Sequence, residues 1–176
     1  MQHGLQGNGQ EMPQMRGRQI MKDKMTIILF SGEMDKAIAA FTLATTAASS
    51  GMDVTIFFTF WGLNIIKKTR FTIAKPQMLM QKMFNIMSTS KLPISKLDFF
   101  GLGPWMMRKL MKKSKMASLE DLMKLAKELK VKYIACTTSC GVLGLSKGNL
   151  IDDVSEFAGA MTYLAEAKES KINLFI

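Results

Sequence analysis

Apolar positions recur along this chain with two different periods, and the alternation between them sets the expected architecture. Met25-Thr-Ile-Ile-Leu-Phe30 is nearly continuous in apolar residues, the pattern of a strand buried on both faces. Ser31-Gly-Glu33 makes a turn, and a helix is predicted over 34–50. There Ala37, Ile38, Phe41, Leu43, Ala44, Ala47 and Ala48 form a broad apolar side of small residues suited to close packing on a sheet. Gly51 stands where a helix C-terminus is capped. A second strand, 53–60, is rich in β-branched and aromatic residues, so strand, helix and strand predict a parallel crossover unit. Trp61-Gly-Leu-Asn64 closes it, with a short helix running on to Lys68.

The texture changes over 69–116. Pro76, Pro93 and Pro104 divide this stretch, helices are predicted at about 77–87 and 104–113, and Phe99-Phe-Gly-Leu-Gly-Pro-Trp105 reads as an apolar hinge. It looks like an insertion rather than a sheet-building unit. Regular patterning returns with a helix over 118–130. It opens on Ser118 followed by Glu120 and Asp121, and carries Leu119, Leu122, Met123, Leu125, Ala126 and Leu129 on one face. A β-rich run (Val131, Tyr133, Ile134, Ala135) then delivers Cys136 to a small polar turn, Thr137-Thr-Ser139. Beyond it the pattern predicts a turn at 146–149, a short strand at Leu150 and Ile151, a helix over 152–168 and a last strand over 171–176. Alternating strands and helices make the fold class α/β, with a mainly parallel sheet of about five strands. One domain is expected over 25–176, with 69–116 inserted and 1–24, rich in Gln, Gly and Met, a loosely attached or disordered tail.

Composition narrows the function classes. With 176 residues and 48% hydrophobic content, the chain has enough material for a core without staples. Two cysteines make no disulfide framework and point to a reducing cytoplasm. The first twenty residues lack the apolar stretch of a signal peptide, and no apolar run approaches the roughly 20 residues that span a bilayer, so a cytoplasmic protein with no transmembrane segment is expected. The net charge of +10 is local. Residues 64–116 hold twelve Lys/Arg against Asp98 alone, whereas the rest holds twelve against thirteen acids. Such a segment can be a solvated face, or can attract an acidic partner, anionic lipid or nucleic acid. No RNP-type or zinc motif accompanies it, so no specific nucleic acid is expected, and peripheral membrane contact stays open. Its methionines (Met78, Met80, Met83, Met87, Met106, Met107, Met111 and Met116) either fill a core or line an adaptable binding surface. They show no repeated spacing for copper(I), and Gly101-x-Gly103 lacks the strand and full fingerprint of a dinucleotide site. No cofactor and no metal are expected.

The candidate chemistry is sulfur. His3, the only histidine, lies in the tail, so papain-like and zinc-hydrolase sites cannot be built from the domain. Cys136 sits at the carboxyl end of a strand, where α/β proteins gather ligands, and a thiol there is partly exposed and favoured as thiolate. The alternative is a buried cysteine acting as a small hydrophobe. Cys140, four residues on, is a candidate resolving thiol, which opens a Cys136/Cys140 redox switch.

Three stretches together resemble the DsrE/DsrF-like family of sulfurtransferase-related proteins. They are Ile27-Ile-Leu-Phe-Ser-Gly-Glu-Met-Asp-Lys-Ala-Ile-Ala-Ala-Phe41; Val54-Thr-Ile-Phe-Phe-Thr-Phe-Trp-Gly-Leu-Asn64; and the run from Ser118 through Ala135-Cys136 to Gly144, Leu150-Ile-Asp152 and the last helix. The similarity covers 25–176, is greatest to the DsrE/DsrF/DrsH-like subgroup with a Met-rich insertion, and is most specific in Phe57-Phe-Thr-Phe-Trp-Gly62. The resemblance implies a Rossmann-like three-layer sandwich, homo-oligomers, and a sulfur carrier or sulfurtransferase-like protein. In that reading Cys136 holds sulfane sulfur as a persulfide, exchanged with donor and acceptor proteins. Cys140 departs from the family pattern, where methionine or another residue is more usual. Thr137, Thr138, Ser139 and Gly141 would support the sulfur through hydroxyl and backbone N–H groups. A non-catalytic oligomeric interaction module is the alternative.

Overall fold

The computed structural model describes residues 22–68 and 102–176. Five strands form one wholly parallel sheet: β1 (Lys24–Leu29), β2 (Asp53–Phe58), β3 (Lys132–Cys136), β4 (Glu156–Ala158) and β5 (Ile172–Phe175), in the order β4-β3-β2-β1-β5. Parallel pairing demands cover on both faces. Successive side chains point to opposite faces, so each strand supplies two cores. Met25, Ile27, Leu29, Val54, Ile56, Phe58, Tyr133 and Ala135 pack under α1 (Met34–Ser49) and α3 (Leu119–Glu128), through Ala37, Ala40, Phe41, Ala44, Leu122 and Ala126. The alanines of α1 let helix and sheet approach, and Phe41, Phe58 and Tyr133 fill the middle with ring centroids 5.4–6.3 Å apart. The two phenylalanine rings each contribute about 1.5–3 kcal/mol by their burial. On the other face Phe57, Ile134, Cys136 and Ala158 pack against Tyr163 of α5 (Ala160–Lys168).

The outline follows the hydrophobic pattern, with four differences. Thr137-Thr138-Ser139 is not a turn but the first turn of a short helix, α4 (Thr137–Leu143); Cys136 is its N-cap, and Gly144 closes it in the left-handed conformation at φ 65°. Leu150 and Ile151 form no strand: Leu150 makes an isolated antiparallel bridge with Lys67. The helix expected over 152–168 is split. Ile134, Ala135 and Cys136 pair with Glu156, Phe157 and Ala158, and Gly159 caps a helix that starts only at Ala160. Ser155 donates through both N–H and hydroxyl to the Tyr133 carbonyl, and Lys132 bridges Glu156 and Glu166, so the open edge of β3 captures a segment whose spacing also suits a helix. Finally, β2 stops at Phe58, and a 3-10 turn over Phe60–Asn64 replaces the short helix expected to reach Lys68.

Of the basic stretch, 69–101 lies outside the described residues, and with it the helix expected over 77–87. α2 (Leu102–Lys113) takes Gly103, Pro104 and Trp105, read as hinge, into its first turns, where a proline's missing N–H is no loss. Met111 is buried, while Met106 and Met116 are exposed. The tail over 1–21 also lies outside; β1 already begins at Lys24, and Lys22 and Asp23 pair with Asp53 and Lys171.

Candidate thiol site

The carboxyl ends of β2 and β3 converge on Cys136. Tyr133, Ile134 and Ala135 pair with Ile56, Phe57 and Phe58, which sets the end of β3 beside Thr59. The chain turns sharply there. Phe60 holds φ 45°, and the Gly62 N–H bonds the carbonyls of Phe30 at 2.8 Å and Thr59 at 3.0 Å. A Cβ on Gly62 would overlap the Leu29 carbonyl, so only glycine lets this turn lie against the end of β1. The turn carries the Thr59 hydroxyl to Ser139 on α4, with Thr59 Oγ1 and Ser139 Oγ 2.8 Å apart.

Cys136 is 6% exposed, more recessed than a thiol placed at a strand end by sequence alone. Its surroundings still favour the anion. Burial opposes ionisation, but the Ser139 hydroxyl and N–H, the Thr59 hydroxyl and the Thr138 N–H together hold the thiol below its ordinary value. Cys140 is governed by burial on the opposite face, in the core of α1 and α3; burial, with Cys136 beside it, pushes it up to about 11. Both thiols are free. Among the described residues no cluster of three or more His, Cys, Asp or Glu is arranged to hold a metal.

Of the supporting residues expected from sequence, Ser139 is 1% exposed and takes part through both hydroxyl and N–H. Thr138 contributes its N–H, and the Thr137 and Thr138 side chains face outward. Gly141 lies on the exposed side of α4, where a Cβ would meet open space. Thr59 was not expected. Its signal was a polar residue closing the apolar run Phe57-Phe-Thr-Phe-Trp-Gly62, but threonine is also an ordinary strand residue. An aromatic rim adjoins the turn: Phe30 packs on Phe60 and Phe175 at 5.2 and 5.8 Å, and Phe60, Trp61 and Phe175 are exposed. A separate cleft of about 340 Å³ between Met34 and Ile38 of α1, Arg108 and Met111 of α2 and the head of α3 includes neither cysteine.

The model of the DsrE/DsrF/DrsH-like family matches residues 21–175. The chain is 43% identical over 156 residues to the protein YrkE of Bacillus subtilis, covering 87% of this chain and 96% of that one. It is 37% identical over 161 residues to a protein named sulfur carrier protein DsrE2 in Allochromatium vinosum, covering 87% and 98%. Among solved structures, the ychN protein of E. coli superposes with a TM-score of 0.53 at 12% identity, covering 89% of this chain and all of that one. MTH1491 of Methanobacterium thermoautotrophicum does so with a TM-score of 0.52 at 8%, covering 88% and all. These two likenesses extend to the α/β fold alone.

Proposed function

The chain belongs to the DsrE/DsrF/DrsH-like family, and on that premise we propose that it is a sulfur carrier holding one sulfane sulfur as a persulfide on Cys136. The observation that carries this reading is the recessed Cys136 thiol, whose hydroxyl and N–H neighbours favour its anion with no histidine among the described residues. In loading, the Cys136 thiolate attacks the outer sulfur of a donor persulfide, R–S–SH. The new S–S bond forms as the donor's breaks, and R–S⁻ leaves with the electron pair, giving Cys136–S–SH with no net redox change. Delivery is the same exchange in reverse, with an acceptor thiolate attacking the outer sulfur and Cys136 leaving as thiolate. Sulfurtransferase activity would be these two exchanges repeated. Recession of the thiol favours a donor or acceptor protein that presents its cysteine on a slender, protruding segment. A relative named as a sulfur carrier supports the reading, and a reducing cytoplasm would keep both cysteines available.

The redox switch is less favoured, because Cys140 at about 11 is a poor attacking thiol near neutral pH. The interaction-module reading draws on the exposed apolar residues of α5 and β5, which suit a second copy of the chain, and it is compatible with sulfur carriage. The test is intact mass after incubation with polysulfide, followed by peptide mapping. A reducible gain of one sulfur, about 32 Da, is expected on Cys136 and should vanish in Cys136→Ser. Full loading in that variant would overturn the assignment, and loss of two hydrogens linking Cys136 to Cys140 would replace it with the switch.

A further inference from the structure

At the amino end of β3, away from the thiol, a cleft of about 290 Å³ opens between the close of α3 and the 153–155 segment that leads into β4. Tyr133 forms part of its wall. Its ring packs against Phe41 and Phe58, the residue is 1% exposed, and its hydroxyl has no hydrogen-bond partner. Buried tyrosine hydroxyls ordinarily find a partner, and one left without it costs free energy. Asp153 lines the same cleft and its charge reaches that hydroxyl, as expected of an oxygen on the cleft side of the ring. Burial pushes the phenol up to about 13, so it stays a donor at neutral pH.

The acceptors around the cleft are spent, and the donors are not. α3 closes with the carbonyls of Leu125, Ala126 and Lys127 taken by the N–H groups of Leu129, Val131 and Lys130 at 2.9–3.0 Å. The Tyr133 carbonyl accepts from both the N–H and the hydroxyl of Ser155, and the Asp153 carboxylate pairs with Lys127 at 2.5 Å. Lys132 turns to Glu156 and Glu166. Left over are the Tyr133 hydroxyl, the remaining N–H donors of the Lys127 ammonium, and Lys130, which is exposed and has no ion pair among the described residues. Lys127 and Lys130 against Asp153 alone leave one positive charge unbalanced. We propose that this cleft binds a small oxyanion, the Tyr133 hydroxyl donating to one of its oxygens and the Lys127 and Lys130 ammonium groups balancing its charge. The volume lies at the small end of ligand pockets, which suits a phosphate, a sulfate or a short carboxylate. The ligand reaches the hydroxyl past Lys127 and Lys130, whose exposed side chains rotate readily. Tyr133 stands three residues before Cys136, roughly 10 Å along the strand, so the proposal does not depend on the sulfur-carrier reading.

The experiment is an amide NMR titration of the full chain with inorganic phosphate and, separately, with acetate, each against sodium chloride at matched low ionic strength. It compares wild type, Tyr133→Phe, Lys130→Gly and Cys136→Ser. Phosphate should give saturable shifts centred on Lys130, Lys132 and Ser155. Tyr133→Phe should weaken binding about tenfold, through loss of a hydrogen bond to a charged group, and Lys130→Gly about threefold. Stability separates this role from a structural one. Tyr133→Phe removes an unpaired buried hydroxyl, and Lys130 holds φ 60°, which glycine adopts without strain. Both variants should therefore melt no lower than wild type in chloride, yet lose most of the rise in melting temperature that phosphate gives wild type. Cys136→Ser should bind phosphate as wild type does. A response to phosphate alone assigns the cleft to tetrahedral oxyanions and a response to acetate alone assigns it to carboxylates, and either supports the proposal. The absence of saturable shifts with both anions would overturn it, as would affinities unchanged in both Tyr133→Phe and Lys130→Gly. If one of these two variants does not fold, the other decides.

Discussion

Cys136 and Cys140 are four residues apart, yet their surroundings drive them in opposite directions. One ends a strand among hydroxyl and N–H donors; the other points into the core beneath α1 and α3. With Cys140 at about 11, roughly one molecule in three thousand carries its thiolate at pH 7.5. Iodoacetamide at that pH should therefore modify Cys136 at least tenfold faster, and equal labelling by peptide mapping would refute the environments described. The same difference sets the pH dependence of stability. Cys136 has its folded value depressed, so its contribution is present above the unfolded value near 9 and is lost as pH falls through the folded one. Cys140 has its folded value raised, so its contribution is complete below about 9 and is lost as pH rises towards 11. Urea unfolding in wild type and Cys140→Ala should show that alkaline loss shrinking in the variant. Gly62 acts at the same scale. Gly62→Ala drives a methyl group into the Leu29 carbonyl and should cost about 3 kcal/mol, a fall in melting temperature of roughly 6–12 °C, with slower sulfur loading because Thr59 moves with the turn. Cys136 stood out in the sequence as a candidate because few residue types do sulfur chemistry. Thr59 was not, since only the register of β2 against β3 brings it to α4.

At the scale of elements, legibility depended on whether local signals agreed with tertiary pairing. α3 begins where its capping pattern says it should. The Ser118 hydroxyl accepts from the Asp121 N–H at 3.2 Å while the Asp121 carboxylate accepts from the Ser118 N–H, also at 3.2 Å. Removing that box in Ser118→Ala should cost about 1 kcal/mol, a drop of roughly 2–4 °C in a thermal melt, and an unchanged melt would show the cap to be dispensable. β4 shows the opposite case. Val154, Phe157, Ala158 and Met161 fit a helical face, but Glu156-Phe157-Ala158 is captured by the edge of β3, a partner more than twenty residues away that no local period reveals. That pairing also bears on the site, because it sets Ala158 beside Cys136. α4 was hidden for another reason: threonine and serine favour turns and caps over helix interiors, so a helix opening on Thr137-Thr138-Ser139 has no propensity signal of its own.

For the whole molecule, the alternation of strands and helices and the three matching stretches were enough to specify a parallel α/β sheet, because strands buried on both faces leave few other architectures. Whether and how copies meet is a property of surfaces, which periodicity does not encode. β5 is an edge strand with Ile172 and Phe175 exposed, and it adjoins α5 through the Asn173 amide, which donates to the Ala167 carbonyl at 3.3 Å. Met161 and Leu164, 82% and 59% exposed, lie one helical turn apart on the outer side of α5. An apolar helix stripe beside a sheet edge that no other described strand pairs with is a surface that proteins ordinarily cover. The expected cover is a second copy of the chain. Charging the stripe with Met161→Glu and Leu164→Glu should then dissociate the assembly, read as a fall in mass by light scattering after gel filtration. Both positions are solvent-exposed, so the melting temperature at low protein concentration should change little, and sulfur uptake by Cys136 should persist because the thiol site is built from Thr59, Thr138 and Ser139 of the same chain. A wild type that is already monomeric would remove self-association from the model and leave this face to a different protein. Loss of sulfur uptake together with mass would show that the thiol site needs a neighbouring copy.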